Sequence, residues 1–330
     1  MLPKKHPVLR QRSFVIPSAP LREFEAAFFA CLEEGELSMC LHGTPRVGKT
    51  SSLQYLSYSL QKTKRAAFRR ATFEQQQAAT RIDRDDFWRK FLGEGADSLP
   101  SWRNPAAARL AVVNGLMVDS ETMGTDCVML MIDEAQNLVI HHFSMLKVLM
   151  DELIDLGRSP FFLLSSQPEI QQRPDELIRK NCHDLVDRFF TRWHRMRGLH
   201  PHEIKEFISA YDELRWSPEE GAGGSPPTFT EFFAPDLTKS GGLGTLSTYF
   251  SEAFKDLNRE VGRQPDDELE TKYLVSAIRV FLIEVNANPR LLSSKELALT
   301  VRHAVRRCGI YENRRRVGDA EQLFKKQSKK

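Results

Sequence analysis

Eight consecutive residues, Gly43-Thr44-Pro45-Arg46-Val47-Gly48-Lys49-Thr50, satisfy G-x-x-x-x-G-K-[ST]. The residue types suit phosphate binding: glycines let the loop curl until backbone N–H groups face a phosphate chain, and the following helix adds its positive end. Lys49 would reach the β- and γ-phosphates, Thr50 would ligate Mg2+, and Ser51 completes the cofactor-binding stretch. A second constellation, Cys127 to Glu134, is an apolar run ending in two adjacent acids. Asp133 is placed to hold the Mg2+ shell and Glu134 to polarise an attacking water. Further on, Ser165-Ser166-Gln167-Pro168 ends another apolar run, and Gln167, with Ser166 in reserve, is the candidate polar partner for that water or the γ-phosphate. Arg188 and Arg192, in Asp184 to Arg192, are candidates for an arginine finger supplied to a neighbour's nucleotide.

These groups need a scaffold that brings strand ends together. Residues 37–41, 66–73, 127–133 and 161–165 read as strands. Helical spacing recurs at 21–35, 49–63, 87–92, 106–118, 142–156 and 176–190. Strands alternating with helices imply a parallel sheet with helices on both faces. Ligands bind such sheets at the carboxyl ends of the strands, where the loop and the acid pair fall. Beyond residue 199 the alternation gives way to helical patterns at 201–214, 248–261, 268–285 and 295–307. The expected organisation is a basic leader at 1–20, an α/β domain at 21–200, a helical lid at 201–308 and a basic tail at 309–330.

Composition narrows the class. Hydrophobic residues make up 41% and charged residues 28% of 330, which is globular rather than low-complexity. Apolar runs such as Cys127 to Ile132 fall far short of the ~20 residues of a membrane helix, so no span and a cytoplasmic location are expected. Five scattered cysteines without a C-x-x-C pair indicate neither a disulfide framework nor zinc. The net charge of +3 is uneven: residues 301–330 carry ten Lys/Arg against three Asp/Glu, and residues 61–90 carry nine against four. Arg69, Arg81, Arg84, Arg89 and Lys90, in the second run, are the candidate contacts to DNA phosphates.

The pattern resembles the AAA+ ATPases, and within them the transposition regulators TnsC and TniB, with ExeA/GspA-type secretion ATPases as cousins. The resemblance is carried by Phe14-Val15-Ile16-Pro17, HGTPRVGKTS, MLMIDEAQNL, FFLLSSQPEI, DLVDRFFTRW and SGGLGTLSTYF, over roughly residues 14–257. It implies a P-loop AAA+ domain, with a parallel sheet flanked by helices, followed by a small helical lid. It implies ATP and Mg2+ as ligands and an ATPase that assembles into a ring or helical homo-oligomer on duplex DNA. Its implied partners are transposase subunits and a target-selection protein. One departure stands out: where the family presents a second sensor arginine, this chain has Gly242-Leu243-Gly244-Thr245, and Asn288-Pro289-Arg290 comes some way later. A missing cation near the γ-phosphate slows hydrolysis, which suits a switch. The competing reading is a secretion or remodelling motor. A helicase is disfavoured by the single P-loop, and GTP use by the lack of an Asn-Lys-x-Asp signature.

Overall fold

The computed structural model describes residues 6–10, 14–73, 84–92, 105–217, 225–293 and 295–310. Contacts divide the chain into two units, one of residues 21–45 and 49–196, the other of residues 1–20, 46–48 and 197–330.

The first unit is built on β1 (Ser38–His42), β2 (Ala67–Thr72), β3 (Cys127–Asp133), β4 (Ser159–Ser166) and β5 (Trp193–Arg195). The strands are parallel, in the order β2-β3-β4-β1-β5. The helices are α1 (Ala19–Glu33), α2 (Lys49–Thr63), α3 (Arg84–Arg89), α4 (Pro105–Met123), α5 (Ile140–Asp155), α6 (Arg173–Arg179) and α7 (His183–Phe189). The unbroken apolar runs of β3 and β4 reflect burial on both faces. On one face Leu130, Ile132, Phe162 and Leu164 meet Val112 and Leu116 of α4 and Phe143 and Leu146 of α5. Register then fixes the chemistry: Ile132 pairs with Leu164, and His42 pairs with Ser166. The end of β4 therefore sits between the acid pair and the glycine loop.

Two local expectations change. The helix read at 176–190 is broken into α6 and α7, with Asn181 between them at φ +61°. Asn is one of the few residues that enters the left-handed region readily. The three-residue β5 has no apolar periodicity to announce it; it exists because Cys40 N–H donates to Arg192 O and Met196 N–H to His42 O.

The second unit holds α8 (Ile204–Ser209), α9 (Phe229–Phe233), α10 (Pro235–Lys239), α11 (Ser247–Glu260), α12 (Thr271–Ala287) and α13 (Leu297–Arg306). Its core joins Phe250 and Phe254 of α11, Leu274, Ile278 and Phe281 of α12, and Val301 of α13. The leader is no separate segment: Val8 and Ile16 belong to that core. His6 is wholly buried among Trp216, Phe229, Phe232 and Phe233, and burial pushes its pKa down to about 4. Residues 46–48 also pack in this unit, where Lys272 N–H donates to Arg46 O and Thr271 Oγ1 to Val47 O. Part of the C-terminal basic run is neutralised locally: Arg302 pairs with Asp256, Arg306 with Glu260 and Arg307 with Glu284. Residues 311–330 of the tail lie outside the described residues.

The late glycine stretch has a structural task here. Asp212 accepts the Leu243 N–H at 2.8 Å and the Gly244 N–H at 2.9 Å. A Cβ at Gly242 would lie 2.6 Å from the Asp212 carboxyl carbon, and Gly242 has φ +84°. The close approach explains glycine there without any role toward phosphate. Asp212→Ala should cost about 1–3 kcal/mol, because two half-buried amides lose a charged acceptor. Urea unfolding measures it.

Candidate active site

The loop after β1 curls as its sequence requires. Arg46 (φ +75°) and Gly48 (φ +112°) are left-handed, and α2 opens at Lys49. Gly43 runs against the chain that leaves β5, and a Cβ there would collide with the Met196 carbonyl oxygen. Lys49 is buried, and its Nζ donates to Gly43 O at 2.6 Å and Thr44 O at 3.1 Å. The ammonium thus rests under the loop that would cradle phosphates. Burial lowers its pKa, and the carboxylates of Glu134, Asp133 and Glu169 oppose that shift. Burial also lowers the pKa of His42, helped by the charges of Arg195 and Lys49. A neutral imidazole adds no charge at the loop's root. Thr50 and Ser51 follow in the first turn of α2, beside the positive end of a 15-residue helix.

The acid pair is held by the strand next to it. Asp133 Oδ1 accepts from Ser165 Oγ at 3.0 Å and from the Glu134 N–H at 3.2 Å. Asp133 Oδ2 meets Arg70 Nη2 at 3.1 Å. Glu134 is a non-glycine residue at φ +58°, and this left-handed bend ends β3 and starts a short 3-10 turn, Ala135–Asn137. The bend brings Gln136 back against the carboxylate: Gln136 Nε2 donates to Glu134 Oε2 at 2.5 Å. Gln136 Oε1 accepts from Ser166 Oγ at 2.8 Å and from the Gln167 N–H at 3.1 Å, which fixes the amide's orientation. Gln167 Nε2 lies 3.4 Å from the same Glu134 oxygen. Glu134, Gln136, Ser166 and Gln167 thus form one network at the carboxyl end of the sheet.

Those residues suit a metal that arrives with its phosphates. Mg2+ is commonly held by one or two carboxylates and a hydroxyl alongside phosphate oxygens, keeping several waters. Asp133, whose Oδ1 accepts from Ser165 and the Glu134 N–H and whose Oδ2 faces Arg70, and Thr50 at the helix start supply that donor set.

The arginines are more constrained. Arg188 donates to Asp151 Oδ1 of α5 at 2.5 Å. Arg192 is clamped by Glu34 and Glu36, at 2.7 Å each. Both acids precede β1, so this chain ties Arg192 to the end of the sheet opposite the loop. Arg69 pairs with Asp119 of α4 and packs on Gly115, whose missing side chain leaves room for the guanidinium. Read from sequence as a phosphate contact, Arg69 instead spends its charge inside the fold. Lys90 Nζ sits 5.7 Å from the Phe73 ring centre, and Arg89 is half-buried at the end of α3. Arg84 begins α3, and Arg81 lies outside the described residues.

Four contributors escaped sequence reasoning: Gln136, Ser165, Arg70 and Arg173, whose Nη2 donates to Gln136 O at 3.1 Å. Arg70 carried a signal, since a charge in mid-strand demands a partner. Gln136 carried a weaker one, as a polar side chain in the turn after the acids.

Residues 32–173 match the model of a family described as an AAA domain. A Walker-type ATPase of Pyrococcus abyssi shares the fold, with TM-score 0.54 and 15% identity over 98% of this chain and 80% of that one. Cdc6p of Pyrobaculum aerophilum matches with TM-score 0.48 and 13% identity, over 86% of this chain and 66% of that one. ORC1 of Aeropyrum pernix, solved in complex with DNA, matches with TM-score 0.45 and 11% identity, over 90% of this chain and 68% of that one. No curated protein sequence matches the chain. The fold is that of a P-loop AAA+ domain, a five-stranded parallel sheet flanked by helices. Among the described residues no helix is long and apolar enough to cross a membrane.

Gly43→Ala should force the loop off the Met196 carbonyl. The expected cost is about 1–3 kcal/mol by thermal unfolding, with weakened phosphate affinity in a nucleotide titration.

Proposed function

We propose that the chain is an ATP-dependent switch that assembles on duplex DNA and links a target-selection protein to a transposase in the cytoplasm. The observation that carries the ATP part is the alignment of three strand ends. The loop after β1 and the acids at the end of β3 flank Ser165 and Ser166 of β4 and the following Gln167, and those three contact the acids or their partner Gln136. The DNA and transposition part is supported by the motif resemblance and by the basic run at 61–90, from which Arg84, Arg89 and Lys90 go forward as phosphate contacts. Arg188 goes forward as the trans-acting finger.

In this mechanism the Gly43–Thr50 loop binds the triphosphate through its amides. Lys49 leaves the carbonyls of Gly43 and Thr44 for the β- and γ-phosphates, trading two neutral acceptors for charged ones. Thr50 and Asp133 would hold Mg2+, which would supply charge neutralisation to the phosphates. Glu134, aimed by Gln136 and Gln167, accepts the hydrogen bond of the attacking water and takes its proton as the oxygen bonds to the γ-phosphorus, while the bond from that phosphorus to the β,γ-bridging oxygen breaks and ADP leaves. Ser165 keeps Asp133 turned by holding Oδ1. The Gly242 to Thr245 stretch, committed to Asp212, supplies no cation, in keeping with slow turnover.

Lys49→Ala should abolish nucleotide uptake and assembly together. Glu134→Gln should keep uptake, lower steady-state hydrolysis at least ~100-fold and lengthen the DNA-bound lifetime. The defining experiment is assembly on DNA of arbitrary sequence with ATP across a salt titration, observed by light scattering and electron microscopy. Growth of filaments or rings that weakens steeply with salt supports the reading. ATP turnover with no DNA-stimulated assembly at any salt would sink the DNA half and favour a remodelling motor.

Gln136→Ala should cut hydrolysis by roughly tenfold with little change in nucleotide affinity, since it removes one of the two amides that orient Glu134. Turnover and binding assays on the same preparation separate the two.

A further inference from the structure

Arg70 stands beside the acid pair without a part in the scheme above. On β2, an edge strand, Arg70 is registered with Met131 and Thr72 with Asp133. Residues two apart on a strand share a face, so the Arg70 side chain has only to lean forward to meet the aspartate. Its Nη2 ends 3.1 Å from Asp133 Oδ2, with the Asp133 side chain only 4% exposed and that of Arg70 27%. The other oxygen, Oδ1, is filled by Ser165 Oγ and the Glu134 N–H. The oxygen free of those bonds, the one a cation would use, is the one a guanidinium already covers. A buried carboxylate without a counter-charge is expensive, and an arginine supplies that charge at every ordinary pH.

We propose that Arg70 is the resident counter-cation of the metal-holding acid, and that Mg2+ gains Asp133 Oδ2, directly or through one of its waters, only by displacing it. This inference rests on the nucleotide-site reading and deepens it. Arg70 is a positioning residue: it keeps the empty site neutral enough for a triphosphate to approach, and it sets the Mg2+ concentration at which the loaded site forms. Removing it has opposite effects on two equilibria. Without metal, uncompensated Asp133 and Glu134 repel the phosphates, so affinity falls. With metal, the competitor is gone, so less Mg2+ is needed.

The test uses the full chain and a fluorescent ATP analogue, titrated once in EDTA and once against Mg2+ at fixed analogue. Arg70→Gln should weaken metal-free binding and lower the Mg2+ midpoint, each by roughly three- to tenfold, the range expected for a partly buried charged pair. Arg70→Lys keeps the charge but loses the planar fork, and should fall between wild type and the glutamine variant. It also answers the question if Arg70→Gln melts before the assay temperature. Equal weakening with and without metal would identify Arg70 as a phosphate ligand and overturn the proposal. An unmoved or raised midpoint overturns it as well. A wild-type chain that takes up no analogue under either condition removes the nucleotide site itself, and this proposal with it. A wild type that binds, with variants that share its midpoint, removes the proposal alone.

Discussion

The site depends on the insertion of β4 between β1 and β3. Neighbouring strands lie about 4.8 Å apart, so one intervening strand sets the glycine loop and the acid pair about 10 Å from each other. That gap accommodates phosphates and a hydrated cation, and β4 provides its floor. Were β1 and β3 adjacent, Lys49 and Asp133 would meet and neutralise one another. Because they are not, Lys49 rests on loop carbonyls and Asp133 on Ser165 and Arg70. Each charge has a local partner that it can leave.

Most of this scaffold was legible in the sequence, because buried parallel strands write themselves as unbroken apolar runs. β3 and α2 fall where periodicity put them, and the loop and acids are contiguous motifs. What stayed hidden depends on contacts distant along the chain. The roles of Ser165 and Gln136 exist only through the register of β4 on β3 and the bend at Glu134. β5 exists only because backbone groups beside β1 need partners. The leader was separated by its charge, yet its apolar residues Val8 and Ile16 are what place it in the helical core. In the leader, local composition reported the solvent-facing residues and missed these two packed ones.

Counting charges gave a similar partial picture. The arginines of β2 look, in one dimension, like part of a cationic surface. In the fold Arg69 and Arg70 leave the strand in opposite directions, one to Asp119 and the other to Asp133. Arg158 is likewise shared between Glu121 and Asp126, and Arg192 between Glu34 and Glu36. The cationic surface of this unit is therefore smaller than its arginine content, and acids hold much of the difference.

The left-handed backbone at Glu134 has a consequence for how such a chain can change over generations. A side chain with a Cβ bears strain of order 1–2 kcal/mol there, which glycine would relieve and asparagine would lessen. Substitutions that make the polypeptide sturdier at this position thus remove the carboxylate, so backbone ease and an acid at this point oppose each other. If Glu134 serves as the proposed base, a chain that only binds nucleotide has no need of this strained turn, and the rest of the sheet can stand without it.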